Sequence, residues 1–481
     1  MKVLLIQPPG HHMISTNVPS VVDEETGAYP PLGLLYVAAY LEKYSSHSVE
    51  ILDAYLDDLS YEQIEAEIRR RRPDAVGVQA MTFTLIDAVL CAKAVKRADP
   101  SIPVIFGGPH VYIYPQETMS IPEVDYIVVG EGEVTFTRLI ECLAEDKDLS
   151  VVDGIGYRDG QGEVYLTPSV PLNQDLDALP MPARHLLDQD RYYSVLAKEF
   201  PITTMMTSRG CPMRCIFCDR PHLGKQFRYR SARSVVEEME FCEKIGIREI
   251  FVYDDTFNIR RDRVMDICRL KIERGVSLAW DIRAHISAMS EEMLDALAAA
   301  GCSRIHYGVE AGTEEIVRTL QKGIDLERTK TVFHQTRQRG IATLGYFMLG
   351  NPGETREQAV ETIEYARRLD ADYIHLALAT PFPATELYRL GFERGLYRKD
   401  YWREFARDPR PDFVPELWEE TMNRSELIRL MQWGYRRFYF RGKYLIRRLL
   451  ELRSWNEFKR KAKAGYRLLS WGAKADGGPV A

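Results

Sequence analysis

The sequence predicts an α/β protein made of two parallel-sheet units in tandem, followed by a helical tail. Three observations carry that reading. Short apolar runs rich in β-branched residues alternate with helix-length stretches over residues 1–148 and again over 201–390. The runs are continuous rather than alternating in polarity, as in parallel strands covered on both faces. Glycine, proline and charged residues follow the runs directly, at the strand ends where open α/β sheets and (β/α) barrels hold their ligands.

In the first unit the strand runs are VLLIQ (3–7), VEILDA (49–54), AVGVQA (75–80), PVIFGG (103–108) and YIVVGE (126–131). Helical stretches such as LGLLYVAAYLEKY and LIDAVLCAKAVKRA separate them, and the turns Pro8-Pro9-Gly10, Gly107-Gly108-Pro109-His110 and Gly130-Glu131-Gly132 close the strands. This is the pattern of a doubly wound sheet with its ligand crevice at the strand C-termini. Residues 149–200 change character: IGYRDGQGEVYL reads as a hairpin with a polar turn, and NQDLDALPMPARHLLDQD as a connector. From 201 to 390, six strands (ITTMMTS, EIFVYDD, LAWDIRAH, RIHYGVE, TLGYFMLG and YIHLALAT) alternate with helices. A partial or full barrel and a second open sheet both fit that alternation. Residues 391–481 have helical periodicity.

A length of 481 residues, 45% hydrophobic and 28% charged, implies two or three domains of an ordinary globular protein. MKVLLIQPPG is too short an apolar run for a signal peptide, and no stretch approaches the roughly 18–20 apolar residues needed to cross a bilayer. Eight cysteines without a paired pattern indicate a reducing cytoplasm, and Cys91, Cys142, Cys242, Cys268 and Cys302 read as buried small hydrophobes. From Arg424 to Lys474 there are fifteen Lys or Arg against three Glu, leaving −19 on the rest of a chain whose net charge is −7. So acidic a body with a basic tail does not suit general nucleic-acid binding. The basic, aromatic tail has two readings: contact with an anionic membrane surface or substrate phosphate, or a helical cap docked on the acidic body.

The chemistry concentrates in TSRGCPMRCIFCDR, where Cys211, Cys215 and Cys218 fall within eight residues with no fourth Cys or His at ligand spacing. Three thiolates do not close a tetrahedral zinc site, but they can hold three irons of a 4Fe–4S cluster and leave the fourth open. This C-x3-C-x2-C spacing after the first strand of a barrel resembles the radical SAM superfamily, with Phe217 matching the aromatic before the last cysteine. The resemblance implies that S-adenosylmethionine binds the open iron and is cleaved reductively to a 5′-deoxyadenosyl radical. It also implies an external one-electron reductant such as flavodoxin or ferredoxin. Asp254 and Asp255 would stand near the methionine amine, Arg283 near its carboxylate and Glu310 near the ribose or amine. For the aspartates, capping of the next helix is the plain alternative, and for Arg283 and Glu310 a surface ion pair. Gly350-Asn351-Pro352-Gly353-Glu354 resembles the adenine-side turn. PFPATELY departs from the family's P-x-P-G-T, with Ala384 at the glycine position, which puts that turn in question.

The first unit resembles the Rossmann-like cobalamin-binding domain fused ahead of this barrel in one large subclass, through PPLGLLYVAAYL, VIFGGPH and YIVVGEGE. Gly107, Gly108, Pro109, His110, Gly130, Glu131 and Gly132 are then the expected cofactor contacts. The D-x-H-x-x-G motif is absent; His11 and His12 after the first strand are candidate cobalt ligands, but the resemblance implies a lower face free of a histidine ligand. The resemblance implies a cytoplasmic, cobalamin-dependent radical C-methyltransferase, with a small-molecule, lipid or isoprenoid substrate and peripheral membrane contact through the tail. Cyclisation or rearrangement without methyl transfer, as in magnesium-protoporphyrin IX monomethyl ester cyclase-like relatives, is the alternative chemistry. A non-catalytic cobalamin or iron–sulfur sensor is the alternative class.

Overall fold

A computed structural model of the chain describes residues 1–14, 27–219 and 225–450. The first unit is a sheet of seven strands: β1 (Lys2–Gln7), β2 (Ser48–Asp53), β3 (Ala75–Gln79), β4 (Val104–Gly107), β5 (Tyr126–Val128), β6 (Ile155–Arg158) and β7 (Val164–Leu166). Their order is β2-β1-β3-β4-β5-β6-β7, with the first five parallel and the last two added antiparallel. The sequence-derived hairpin is therefore β6–β7, an extension of this sheet. The order 2-1-3-4-5 puts a topological switch between β1 and β3, where a ligand crevice opens.

Both faces of the sheet are covered, which explains the unbroken apolar runs. Val3 and Leu5 pack under α1 (Leu32–Tyr44) and α4 (Gly132–Ala144), whereas Leu4 and Ile6 pack under α2 (Tyr61–Arg71) and α3 (Leu85–Ala98). A capping box between Ser60 and Gln63 starts α2, reciprocally filling two backbone donors that a helix end leaves open.

The second unit is six parallel strands in sequential order: β8 (Ile202–Met205), β9 (Glu249–Val252), β10 (Ala279–Ala284), β11 (Cys302–Glu310), β12 (Ala342–Leu349) and β13 (Tyr373–Leu378). They form an open half-barrel. Helices α5 (Ala232–Lys244), α6 (Arg261–Glu273), α7 (Glu291–Ala299), α8 (Leu326–Gln338) and α9 (Arg356–Leu369) alternate with them along the chain. The connector closes the barrel floor, where Arg304 donates to Leu196 O at 2.5 Å and Glu249 accepts from Lys198 N at 2.6 Å.

After the barrel, the segment Glu386–Arg407 returns to the first unit, and Tyr388, Tyr401, Trp402 and Phe405 join the core beneath α2 and α3. The tail then forms α10 (Arg424–Tyr439) and α11 (Gly442–Leu450). α10 docks on α9 and β13, with Leu427, Met431, Tyr435 and Phe438 in the barrel's core. The tail's cations meet the acidic body: Arg437 Nε on α10 lies 2.7 Å from Glu364, and Arg441, Lys443 and Arg447 beyond it converge on Asp370. Over the described residues the tail is a docked cap; its remainder, from 451, lies outside them. No helix among the described residues is long and apolar enough to cross a membrane. Cys91, Cys142, Cys242, Cys268 and Cys302 are all buried, as expected.

Candidate active site

The cysteine loop is anchored from below by Asp254. This residue is fully buried, and its carboxylate accepts from Thr207 N (2.6 Å), Ser208 N (2.9 Å), Thr207 Oγ1 (2.5 Å) and Ser208 Oγ (2.6 Å). Those contacts fix the backbone three residues before Cys211. Asp254 thus supports the loop, whereas its neighbour Asp255 lines the cavity above it. Cys211 and Cys215 are buried and Cys218 is half-buried, with Cys211 Sγ 3.3 Å from Thr256 Oγ1. Among the described residues no three His, Cys, Asp or Glu side chains converge on a single ion. Three thiols that share a loop without a common point suit a cluster, where each takes a different iron.

Above the loop, at the C-terminal mouth of the half-barrel, lies a cavity of about 370 Å³ lined by Phe217, Asp255, Arg283, Glu310 and Lys322 among others. Four residues singled out from the sequence are thus brought together. Arg283 sits 4.3 Å above the Tyr253 ring and lines the cavity together with Tyr346. Glu310, held at φ 70°, pairs with Lys322 Nζ at 2.8 Å. Lys322 also lies 5.7 Å from the ring of Phe217, the residue between Cys215 and Cys218 in the cysteine loop. Carboxylates for an ammonium and a guanidinium for a carboxylate are the donor set that the amino-acid end of S-adenosylmethionine requires.

The sequence reading missed the rest of the wall: His306, Tyr346 and His375 on β11, β12 and β13, together with Lys322. His306 Nε2 lies 3.1 Å from Arg304 Nε and 3.2 Å from Asp281 Oδ2, and its Nδ1 lies 3.0 Å from the Tyr346 hydroxyl. Burial pushes His375 down to about 4, and it stands neutral in the lumen. Alternation along β13 (Tyr373, His375 and Ala377 on one face) was the available signal. The turn at Gly350–Glu354 is braced by Glu354, which accepts from Gly350 N at 2.7 Å and Asn351 N at 3.0 Å. Ala384 takes the left-handed conformation of the absent glycine, at φ 62°, so the turn is kept at the expense of strain.

A second cavity, about 280 Å³, opens at the C-terminal ends of β1, β3, β4 and β5. Leu5, Val78, Ile105 and Phe106 contribute its apolar wall, and Gly107, Gly108, Pro109, Gly130, Glu131 and Gly132 its rim. A Cβ at Gly33, Gly107 or Gly130 would meet no atom within 4 Å, so these glycines leave an open cradle for a bulky cofactor. His110 is not in this lining. It is buried, its Nδ1 lies 3.1 Å from Thr82 Oγ1, and burial lowers it to about 3. His11 pairs with Asp58 at 2.8 Å, and His12 with Tyr61 and Asp87. Neither lines the cavity.

A half-barrel carrying a three-cysteine loop, joined to a doubly wound domain with a glycine cradle, defines a class of two-cofactor enzyme. Family models agree: residues 205–366 match the radical SAM superfamily and residues 20–140 the B12 binding domain. An uncharacterized methyltransferase of Pyrococcus horikoshii is 33% identical over 94% of this chain and 95% of its own length. The anaerobic magnesium-protoporphyrin IX monomethyl ester cyclase of Rubrivivax gelatinosus is 29% identical over 92% and 78%. The methyltransferase TsrM of Kitasatospora setae, solved with cobalamin and a [4Fe-4S] cluster, superposes with a TM-score of 0.67 at 22% identity, covering 82% of this chain and 78% of its own. The chain belongs to the B12-binding radical SAM family. It is a radical SAM enzyme whose cofactors are a 4Fe–4S cluster, S-adenosylmethionine and cobalamin.

Proposed function

We propose that this enzyme is a C-methyltransferase that removes hydrogen from an unactivated substrate carbon and places a methyl group there. The observation that carries the reading is the adjacency of the two cavities: Met206 and Arg209, from the segment leading to Cys211, line the glycine-rimmed cavity of the first unit. When bound, the cluster supplies the electron that cleaves S-adenosylmethionine, and the corrin supplies the methyl group. The chain's residues hold and orient. Cys211, Cys215 and Cys218 bind the irons, Asp255 and Glu310 receive the methionine amine, and Arg283 its carboxylate. The cradle of Gly107, Gly108, Pro109, Gly130, Glu131 and Gly132 receives the corrin's tail.

In this reading residues 1–148 are the cobalamin-binding domain and 201–390 the radical domain. The Pyrococcus relative, a methyltransferase by name and matched over nearly its whole length, favours methyl transfer. The Rubrivivax cyclase supports the alternative of ring formation by the same apparatus. For substrate class, the lumen wall of His306, Tyr346 and His375 favours a molecule with polar groups over a bare isoprenoid.

The test is anaerobic reconstitution with cluster and cobalamin, then reduction in the presence of S-adenosylmethionine. Both 5′-deoxyadenosine and S-adenosylhomocysteine are expected, the latter from remethylation of the cofactor. Formation of 5′-deoxyadenosine with no S-adenosylhomocysteine would refute methyl transfer and leave cyclisation or rearrangement.

A further inference from the structure

Between the two cavities lies a compact set of buried charges. Ser208–Arg209 forms a two-residue strand antiparallel to Arg228–Tyr229, and Gly210 and Cys211 follow at once. The Arg209 guanidinium crosses into the first unit, placing Nη1 2.7 Å from Glu131 Oε1 and Nη2 on Glu133. Arg228 Nη1 reaches the same Glu131 at 2.9 Å and donates to Asn173 O at 2.7 Å, and Asn173 N donates to Glu131 at 2.7 Å. Arg209 also stands 5.5 Å from the Tyr36 ring. Side-chain exposure is 8% for Arg209, 3% for Arg228, 11% for Glu131 and 7% for Glu133. Burial works against the Glu131 carboxylate, yet Arg209 and Arg228 hold it below the ordinary range.

Tyr36, Glu131, Glu133 and Arg209 all line the cobalamin cavity. One guanidinium is therefore part of that cavity's wall and, two residues on, part of the chain that positions the first cluster ligand. Two cations and two anions out of water balance only as a set; removing one strands its partner. Such a set has one favoured arrangement, and whatever stabilises it from one side stabilises it from the other.

From this juxtaposition we infer that Arg209 is a positioning residue that couples cobalamin seating to the order of the cluster loop. Corrin filling the cavity packs against Glu131, Glu133 and Tyr36 and narrows the positions open to Arg209, and with them those of Cys211. By reciprocity, cluster loading tightens cobalamin binding by the same factor. The inference rests on the cofactor assignment and not on which reaction follows.

The experiment measures hydroxocobalamin affinity of the full chain, cluster-free and cluster-reconstituted, by anaerobic absorbance titration. In wild type the reconstituted protein is expected to bind about fivefold or more tightly, at the lower end of common coupling factors. The EPR signal of the reduced cluster should also shift when cobalamin is added. Arg209→Met should bring the affinity ratio close to one and abolish the shift, with Arg209→Lys intermediate. If Arg209→Met weakens binding equally in both states, with the ratio and the shift intact, the residue is merely structural and the inference falls. Glu133→Gln, which removes one acceptor and no cation, serves if Arg209→Met does not fold: a wild-type ratio there overturns the coupling, and a reduced ratio upholds it.

Discussion

Asp254 and Asp255 are adjacent, and the structure assigns them opposite tasks that one pair of substitutions separates. Asp254 holds two backbone N–H groups and two hydroxyls of Thr207 and Ser208 at 2.5–2.9 Å, without solvent. In Asp254→Ala both hydroxyls can re-aim, but the two amides cannot. Each buried donor left unmade costs about 1–3 kcal/mol, so the local loss is roughly 2–6 kcal/mol. That is comparable with the whole stability of many domains, about 5–15 kcal/mol. Asp254→Asn keeps an oxygen for the two amides, and its NH2 donates to hydroxyls that rotate to accept, a loss of about 1 kcal/mol. After anaerobic reconstitution, iron per chain and cluster absorbance should be near wild type in Asp254→Asn and largely lost in Asp254→Ala. Asp255→Asn should load the cluster fully but bind S-adenosylmethionine weakly, because its carboxylate faces the cavity. Full iron in Asp254→Ala, or full iron with lost S-adenosylmethionine affinity in Asp254→Asn, would refute the assignment.

Ala384 sits at φ 62° and is exposed. The left-handed conformation costs alanine roughly 1–2 kcal/mol, and glycine's extra chain entropy returns about 0.5–1. Ala384→Gly should therefore stabilise the protein by about 0.5–1 kcal/mol in denaturant titration; a destabilised variant counts against the strain. Lys322 places a positive charge beside Phe217 and near the thiols of Cys215 and Cys218. Net charge near a cluster sets its potential, so Lys322→Gln should make the cluster harder to reduce in an EPR-monitored redox titration, while Lys322→Arg should not. Tyr439 accepts from Ile374 N at 3.0 Å and donates to Ile374 O at 2.9 Å. Tyr439→Phe should speed amide exchange at Ile374 by one to two orders of magnitude, as a loss of about 1–3 kcal/mol requires; unchanged protection would mean the hydroxyl is dispensable.

Much of the scaffold was legible because it rests on local signals. Continuous apolar runs marked the parallel strands of both sheets, and the three cysteines announced their chemistry by spacing alone. What escaped detection depends on distant partners or on direction. Arg209 stands in the cysteine motif, but its meaning lies in Glu131, 78 residues earlier. His306, Tyr346 and His375 sit in strands buried on both faces, where sequence does not say which face is core and which is lumen. Asp254 and Asp255 look identical in EIFVYDD, yet just past the end of β9 one turns back to the loop and the other lines the cavity. His110 shares a motif with Gly107 and Gly108 but lies on the first turn of the following helix, turned away from the crevice.

The tail's composition acquires a reason from the half-barrel itself. Six strands do not close, so β13 is left with an unpaired outer edge, which proteins must cover or blunt. Here α10 covers it with side chains. Tyr435 OH accepts from Leu376 N at 3.0 Å and donates to Leu376 O at 3.2 Å, and Tyr439 does the same at Ile374. Tyr444 continues the series, donating to Asp372 O at 3.1 Å. The spacing works because four residues of helix rise about 6.0 Å, close to the roughly 6.6 Å of two residues of strand. A helix with tyrosines four apart can therefore stand in for a missing strand. The arginines between and after them find their partners at Glu364 and at Asp370, just beyond the C-terminus of α9, where cations are also favoured by the helix dipole. Aromatic residues interleaved with cations, which in sequence suggest a membrane surface, here meet the two needs of a barrel edge: hydrogen bonds for its backbone and countercharge for Glu364 and Asp370 beside it.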